Sequence, residues 1–350
     1  MSFLGTLFHT NKHTAESVVL VDIGTNSVAG AYVRYTEQES PVLLYTRRVP
    51  IEIREGEPHG RAMLRALKVL GDILITEGAP VLARASGSGS VNTILVSIDA
   101  PWQETSVRTE YFERNTSFVF TKSLVTKALE KTAVAIPEKL LADESIIGTA
   151  LNGYETANPY GKRAHRASVI VLTSLIEEKI AASIFSLLKS LYHTKRVLFI
   201  SGSSPRYQAM RVVFPHERNA LILDATGTLT SIALVRNGFF VALSEVAHSA
   251  IDSQTWVHEV VDECAEIAKN YPLPRTIFLL ARESEISSLQ EKLTTANFGS
   301  LWLSDNPPNI VSILASHLSG SIQHLTTASP DLMLLLMTKY YQHHDPEEKV

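Results

Sequence analysis

The chain has 350 residues, 45% of them hydrophobic, a formal net charge of −4 and a single cysteine. That length suits one large or two medium domains, and the charge leaves no basic footprint for nucleic acid. Cys264 alone excludes a disulfide framework, fits a reducing compartment and reads as a small buried apolar residue. No apolar run approaches the roughly 20 residues that span a bilayer, and residues 1–16 lack a signal-peptide core and read as a flexible leader.

The first ordered stretch is residues 18–32, VVLVDIGTNSVAGAY. Four apolar β-formers, Asp22 at the strand end, the turn Gly24-Thr25-Asn26-Ser27 and a returning strand make an acid-led hairpin. Such a turn can cradle phosphate oxygens while the acid holds a hydrated magnesium ion; the alternative is a plain hairpin with good turn residues. A third strand is expected at 42–49, after a turn at 37–40. A helix follows over 61–75, where Met63-Leu64, Leu67 and Leu70-Gly71 fall at helical spacing. ARASGSGS, residues 83–90, reads as a loop before a strand at 91–98.

Residues 100–166 have the content of a compact α+β unit. A strand is expected at 107–112, and Leu124, Val125, Ala128 and Leu129 mark one helix face. Strands at 145–151 and 167–172 flank an Asn152-Gly153 turn, and the basic run 161–166 reads as a solvated loop. Ile176, Ile180, Ile184, Leu187 and Leu191 stripe a helix over 175–192. A strand at 197–200 leads through a Gly/Ser turn, a minor candidate for anion binding, to a helix at 207–214.

Residues 220–235, ALILDATGTLTSIALV, repeat the opening plan with Asp224, the turn Thr226-Gly227-Thr228 and an alternating strand containing Thr230. Two such hairpins far apart in one chain predict two similar halves facing each other across a cleft. A helix over 252–271 carries Trp256, Val260, Cys264, Ile267 and Tyr271 on one stripe. A strand at 276–280 ends in Ala281-Arg282-Glu283-Ser284, and a second helix from there buries Ile286, Leu289 and Leu293. Residues 311–322 read as a helix broken by Gly320. Ser329-Pro330-Asp331 reads as a helix start with Ser329 as the cap, and 332–337 as a buried closing helix. His248, in a loop, and His343-His344-Asp345, in the tail, read as structural or solvated.

The two hairpins resemble the phosphate loops of the actin-like ATPase superfamily, and LNGYETANPYGK (151–162) is similar to a segment of its FtsA and PilM members. The resemblance implies an α/β, actin-like (RNase H-like) fold. Its first half would comprise 17–99 and 167–218, with a small inserted SHS2-like α+β subdomain at 100–166. The second half, 219–341, would carry a reduced lid subdomain and precede a polar tail at 342–350. It would place ATP phosphates against Gly24, Thr25, Asn26, Ser27, Gly227, Thr228 and Thr230, with Mg2+ held by Asp22 and Asp224.

Three departures imply a degenerate nucleotide site. The second loop keeps one glycine where the superfamily has two or three. Arg282-Glu283 stands in place of the Gly-Gly pair that lies under the adenosine. A single helix, 252–271, occupies the interval of the adenine-covering lid. The resemblance thus implies an FtsA/PilM-like scaffold, cytoplasmic and peripheral at the inner face of the membrane, with weak or lost ATP binding. Its partner would be a membrane-associated protein of a division or pilus machine, or a further copy in a homo-oligomer. The rivals are a phosphohydrolase of the exopolyphosphatase/guanosine pentaphosphate phosphatase type, which shares the D-x-G-[ST]-N-S first loop, and an active actin-like ATPase.

Overall fold

The computed structural model describes residues 16–343 apart from 37–38, 133–135, 157, 195, 228, 248–252, 300, 303–305 and 326–330. The proposed contributions of Thr228 and His248, and the Ser329-Pro330 helix start, lie outside the described residues.

Strands β1 (Glu16–Ile23), β2 (Ser27–Tyr35) and β3 (Val42–Pro50) form the expected antiparallel meander. β1 is apolar almost throughout because both its faces are covered, and β4 (Thr93–Ile98) and β9 (Arg196–Ser201) extend the sheet in parallel from it. Helix α1 (His59–Ile73) passes through a π-type turn at Leu74–Gly78 directly into α2 (Ala79–Ser86). Much of the loop expected at 83–90 is therefore helix. Pro80 sits at the start of α2, where its missing N–H costs nothing, and the chain leaves the helix only at Gly87, φ 80°.

The second half repeats this plan. β10 (Ala220–Asp224), β11 (Leu229–Arg236), β12 (Phe239–Ala247), β13 (Thr276–Leu280) and β14 (Asn309–Ser312) give the order β12-β11-β10-β13-β14. The first sheet has the matching order β3-β2-β1-β4-β9, with β15 (Gln323–His324) added outside β3. Helices α6 (Ser253–Ala268) and α7 (Glu283–Thr295) contribute Trp256, Val260, Cys264 and Leu293 to the core over this sheet. The helix expected at 311–322 is replaced by β14 and the single turn α8 (Ser316–Ser319). Val311 pairs with Phe278 of β13, so sheet pairing overrides the local periodicity.

Between β4 and β9 stands a four-stranded antiparallel sheet ordered β5-β8-β6-β7, made of β5 (Gln103–Val119), β6 (Lys139–Leu151), β7 (Tyr154–Glu155) and β8 (Arg163–Glu177). Helix α3 (Lys122–Thr132) packs on it through Val125 and Leu129. Asn152 (φ 52°) and Gly153 (φ 83°) form the β6–β7 turn, with the left-handed pair of conformations a tight hairpin requires. β8 runs straight into α4 (Glu178–Tyr192). Leu175 and Ile176, expected to open the helix, are strand residues paired with Leu141 and Leu140.

Helix α5 (Ser203–Val213) and the closing helix α9 (Leu332–His343) pack together between the two large sheets. Met333 to Tyr341 are all buried, in a core shared with Leu20, Ala31 and Leu43 of the first sheet and Ile222 and Phe278 of the second. This matches the expected burial of the 332–337 run.

Candidate functional site: the acid-lined cleft between the halves

Register places the first acid. Asp22 ends β1 and lies opposite Ala29 of β2, which lies opposite Arg48 of β3, so all three share one face of the sheet. Ala29 is too small to intervene, and Arg48 reaches across it, its Nη2 lying 3.1 Å from Asp22 Oδ2. The same guanidinium donates to Ser27 Oγ at 2.7 Å and to both carboxylate oxygens of Asp331, Nε–Oδ2 at 2.6 Å and Nη2–Oδ1 at 3.0 Å. Asp331 Oδ1 also accepts from the backbone N–H groups of Met333 and Leu334, so Asp331 caps α9.

The second half has the same cross-strand layout with a changed charge. Asp224 of β10 lies opposite Ser231 of β11, and Ser231 opposite Glu245 of β12. Where the third strand of the first sheet offers Arg48, that of the second offers another acid. Arg206, from the first turns of α5, supplies the missing cation. It is 5% exposed, and it donates from Nη1 and Nη2 to Asp99 Oδ1 and Oδ2 at 2.7 and 2.5 Å. Its Nε lies 2.5 Å from Asp224 Oδ2. Burial alone would lower the Arg206 pKa, but Asp224 and Asp99 outweigh it and raise it. Asp99 follows β4, directly beside the end of β1, and its N–H donates to Ile23 O at 3.0 Å.

A cavity of about 630 Å³ lies between these two walls, lined by Asp22, Asp224, Arg48 and Arg206 among others. Gly24, Thr25, Asn26, Ser27 and Gly227 also line it, so the structure brings together all the described loop residues marked from sequence except one. That one is Thr230. Fully buried, it accepts a 2.8 Å hydrogen bond from Trp256 Nε1, on the side of β11 opposite to Leu229 and Ser231, which line the cavity. Period-two alternation places it there. Arg282, Glu283 and Ile286 line the same cavity.

Most of the donors and acceptors a metal-bound phosphate would need are already paired within the protein. Gly24 N–H closes its own turn on Ser27 O at 3.0 Å, Thr25 Oγ1 donates to Ala100 O at 2.9 Å, and Trp102 Nε1 donates to Gly24 O at 2.9 Å. Asp224 Oδ1 accepts from Thr226 N and Oγ1 at 3.0 and 2.6 Å. A Cβ on Gly227 would stand 2.8 Å from Thr25 Oγ1, so the two turns abut and only glycine fits there. Asp22 Oδ1 is the exception among these carboxylate oxygens, buried with no hydrogen-bond partner. Desolvation chiefly pushes the Asp22 carboxyl from 3.8 up to about 6, with Asp99 and Asp331 adding to the rise and Arg48 and Arg206 opposing it. Among the described residues no group of three or more His, Cys, Asp or Glu side chains is disposed to hold a metal ion. The donor set does not fit Mg2+ with a nucleotide while both arginines are in place.

Sequence reasoning missed Arg48, Asp99, Arg206 and Asp331. The acid closing β4 was a readable signal, since a strand parallel to β1 must end beside Asp22. The arginines carried none, because their role depends on cross-strand register and on a helix from the other side of the cleft.

No family model matches the chain, and no curated protein matches it. Solved structures do. A chain of the PilM–PilN type IV pilus biogenesis complex aligns at TM-score 0.52 and 13% identity, over 94% of this chain and 99% of that one. A Bacteroides thetaiotaomicron protein described as having an actin-like ATPase fold and unknown function aligns at 0.47 and 9%, over 93% and 96%. An exopolyphosphatase from Cytophaga hutchinsonii aligns at 0.38 and 10%, over 75% and 66%. With two sheets of matching strand order facing one cleft, and an alignment to the pilus-complex chain over nearly the full length of both, this chain adopts the actin-like ATPase fold.

Proposed function

We propose that this protein is an actin-fold scaffold of the FtsA/PilM kind, working at the cytoplasmic face of a membrane and binding a segment of a membrane-associated partner rather than turning over ATP. One observation carries the non-enzymatic part. Asp224 is paired with Arg206 and Thr226, and Asp22 with Arg48, so the two acids available for magnesium already have partners within the protein. Arg282 and Glu283 support it as well, since they stand in the cavity wall where the resemblance implies a Gly-Gly pair. The partner part rests on likeness of fold to a chain from a complex of two pilus proteins. No helix among the described residues is long and apolar enough to cross a membrane, so on this reading attachment comes through the partner.

The test has two arms. Affinity capture from membrane extracts, with cross-linking to locate the contact, is expected to return a membrane-anchored protein bound through a short cytoplasmic segment. Phosphate-release assays on ATP and on polyphosphate are expected to stay at background. Release that disappears in Asp22→Ala would overturn the reading in favour of the ATPase or the exopolyphosphatase-type hydrolase.

A further inference from the structure

The acids on the two cleft walls create an electrostatic problem that the fold must solve. Asp22 and Asp99 belong to the first half and Asp224 to the second, with Glu283 also on the cavity wall and Glu245 opposite Ser231 on the strand beyond. Like charges facing each other across a gap repel, and leaving buried ones unpaired is costly. Arg206 answers this from one side. It donates two hydrogen bonds to Asp99 within its own half and makes a close charge pair, without a hydrogen bond, to Asp224 in the other. Arg48 makes a related link within the first half, joining Asp22 and Ser27 of the first hairpin to Asp331, the cap of α9, which packs on β1 and β2 after β15 has returned the chain to the first sheet.

The backbone is shaped around these ions. A Cβ on Gly202, the residue before α5, would collide with the Asp99 carboxylate, so Asp99 and Arg206 settle over the helix start only because residue 202 is glycine. The turn before α5, a candidate for binding outside anions, is served from within. Asp143 Oδ2 accepts from Ser201 N at 3.1 Å and from Ser204 Oγ at 2.7 Å.

We infer that Arg206 acts as a permanent ionic brace across the cleft, taking the bridging place of a metal-bound nucleotide, so that the halves are held together without any ligand. This deepens the scaffold reading and rests on it: a partner would meet a surface whose shape does not depend on nucleotide.

The test uses the whole chain, with melting followed by fluorescence and the radius of gyration by small-angle scattering, in EDTA, in Mg2+ and in Mg2+ with ATP. The wild-type protein is expected to give one radius and one midpoint, within about 1 °C, in all three. Arg206→Met leaves Asp99 and Asp224 facing each other, and is expected to melt roughly 5 °C lower or more, to swell, and to recover part of both losses with Mg2+. The triple variant Asp99→Asn, Arg206→Met, Asp224→Asn removes both sides of the brace, and is expected to melt above Arg206→Met and to ignore Mg2+. A wild-type midpoint that climbs with Mg2+ and ATP, or an Arg206→Met protein with wild-type radius and midpoint, overturns the inference. If Arg206→Met does not fold, the wild-type and triple-variant measurements still decide it. Failure of the scaffold reading would appear instead as phosphate release or an empty partner capture, which these readouts do not involve.

Discussion

Asp22 is a carboxylate whose pairing does not compensate for its burial. It is 2% exposed, keeps one oxygen without a partner and has its pKa lifted from 3.8 to about 6. Its folded pKa lies above the unfolded one, so the folded protein holds the extra proton between these values. The stability this confers is complete below about pH 4 and is lost as pH rises through about 6. Asp22→Asn cannot titrate. Urea unfolding of both proteins at several pH values should show the variant gaining on the wild type between these limits by an amount on the order of 3 kcal/mol, then holding level. A gap that stays constant across the range would mean that Arg48 already offsets the desolvation in full.

Among the elements, α9 combines two roles at one residue. Asp331 caps the helix and also receives Arg48 through both oxygens. Asp331→Ala removes both, and Asp331→Asn keeps the cap while losing the charge. The cap contributes about 1 kcal/mol, so denaturation midpoints should fall in the order wild type, Asn, Ala, with the exchange protection of Met333 and Leu334 lost mainly in Ala. Sequence pattern made most elements legible, because their information is local. The DIGTN and DATGT hairpins, the strand at 276–280 and the buried character of 332–337 all follow from short-range apolar patterning. Where it misled, a non-local partner decided. Residues 311–312 joined a sheet edge, and Leu175 and Ile176 were drawn into β8. The candidate site was half legible. The turns could be read, but the ions that fill them could not, because charge pairing across a cleft leaves no periodicity in the chain.

At the scale of the whole molecule, three bodies meet at one hydroxyl. Tyr207 of α5 donates to Gly238 O, in the β11–β12 turn of the second half, and lies 3.5 Å from Ile147 O of the inserted sheet. Tyr207→Phe keeps the ring packed against Phe240 and leaves the Gly238 carbonyl without this donor. A loss of about 1–2 kcal/mol in unfolding free energy is expected, with faster exchange at the β11–β12 turn than in the rest of that sheet. The burial of α9 also bears on how the protein is made. Tyr341 donates to Glu16 and Tyr35 to the carbonyl of Thr338, contacts that join residues 325 and 303 positions apart. On a ribosome adding about 5–20 residues each second, the earliest strands therefore wait tens of seconds for the helix that covers them. The opening hairpin thus keeps an apolar face uncovered until α9 has emerged, and the nascent chain should be most prone to aggregate when translation stalls before that point.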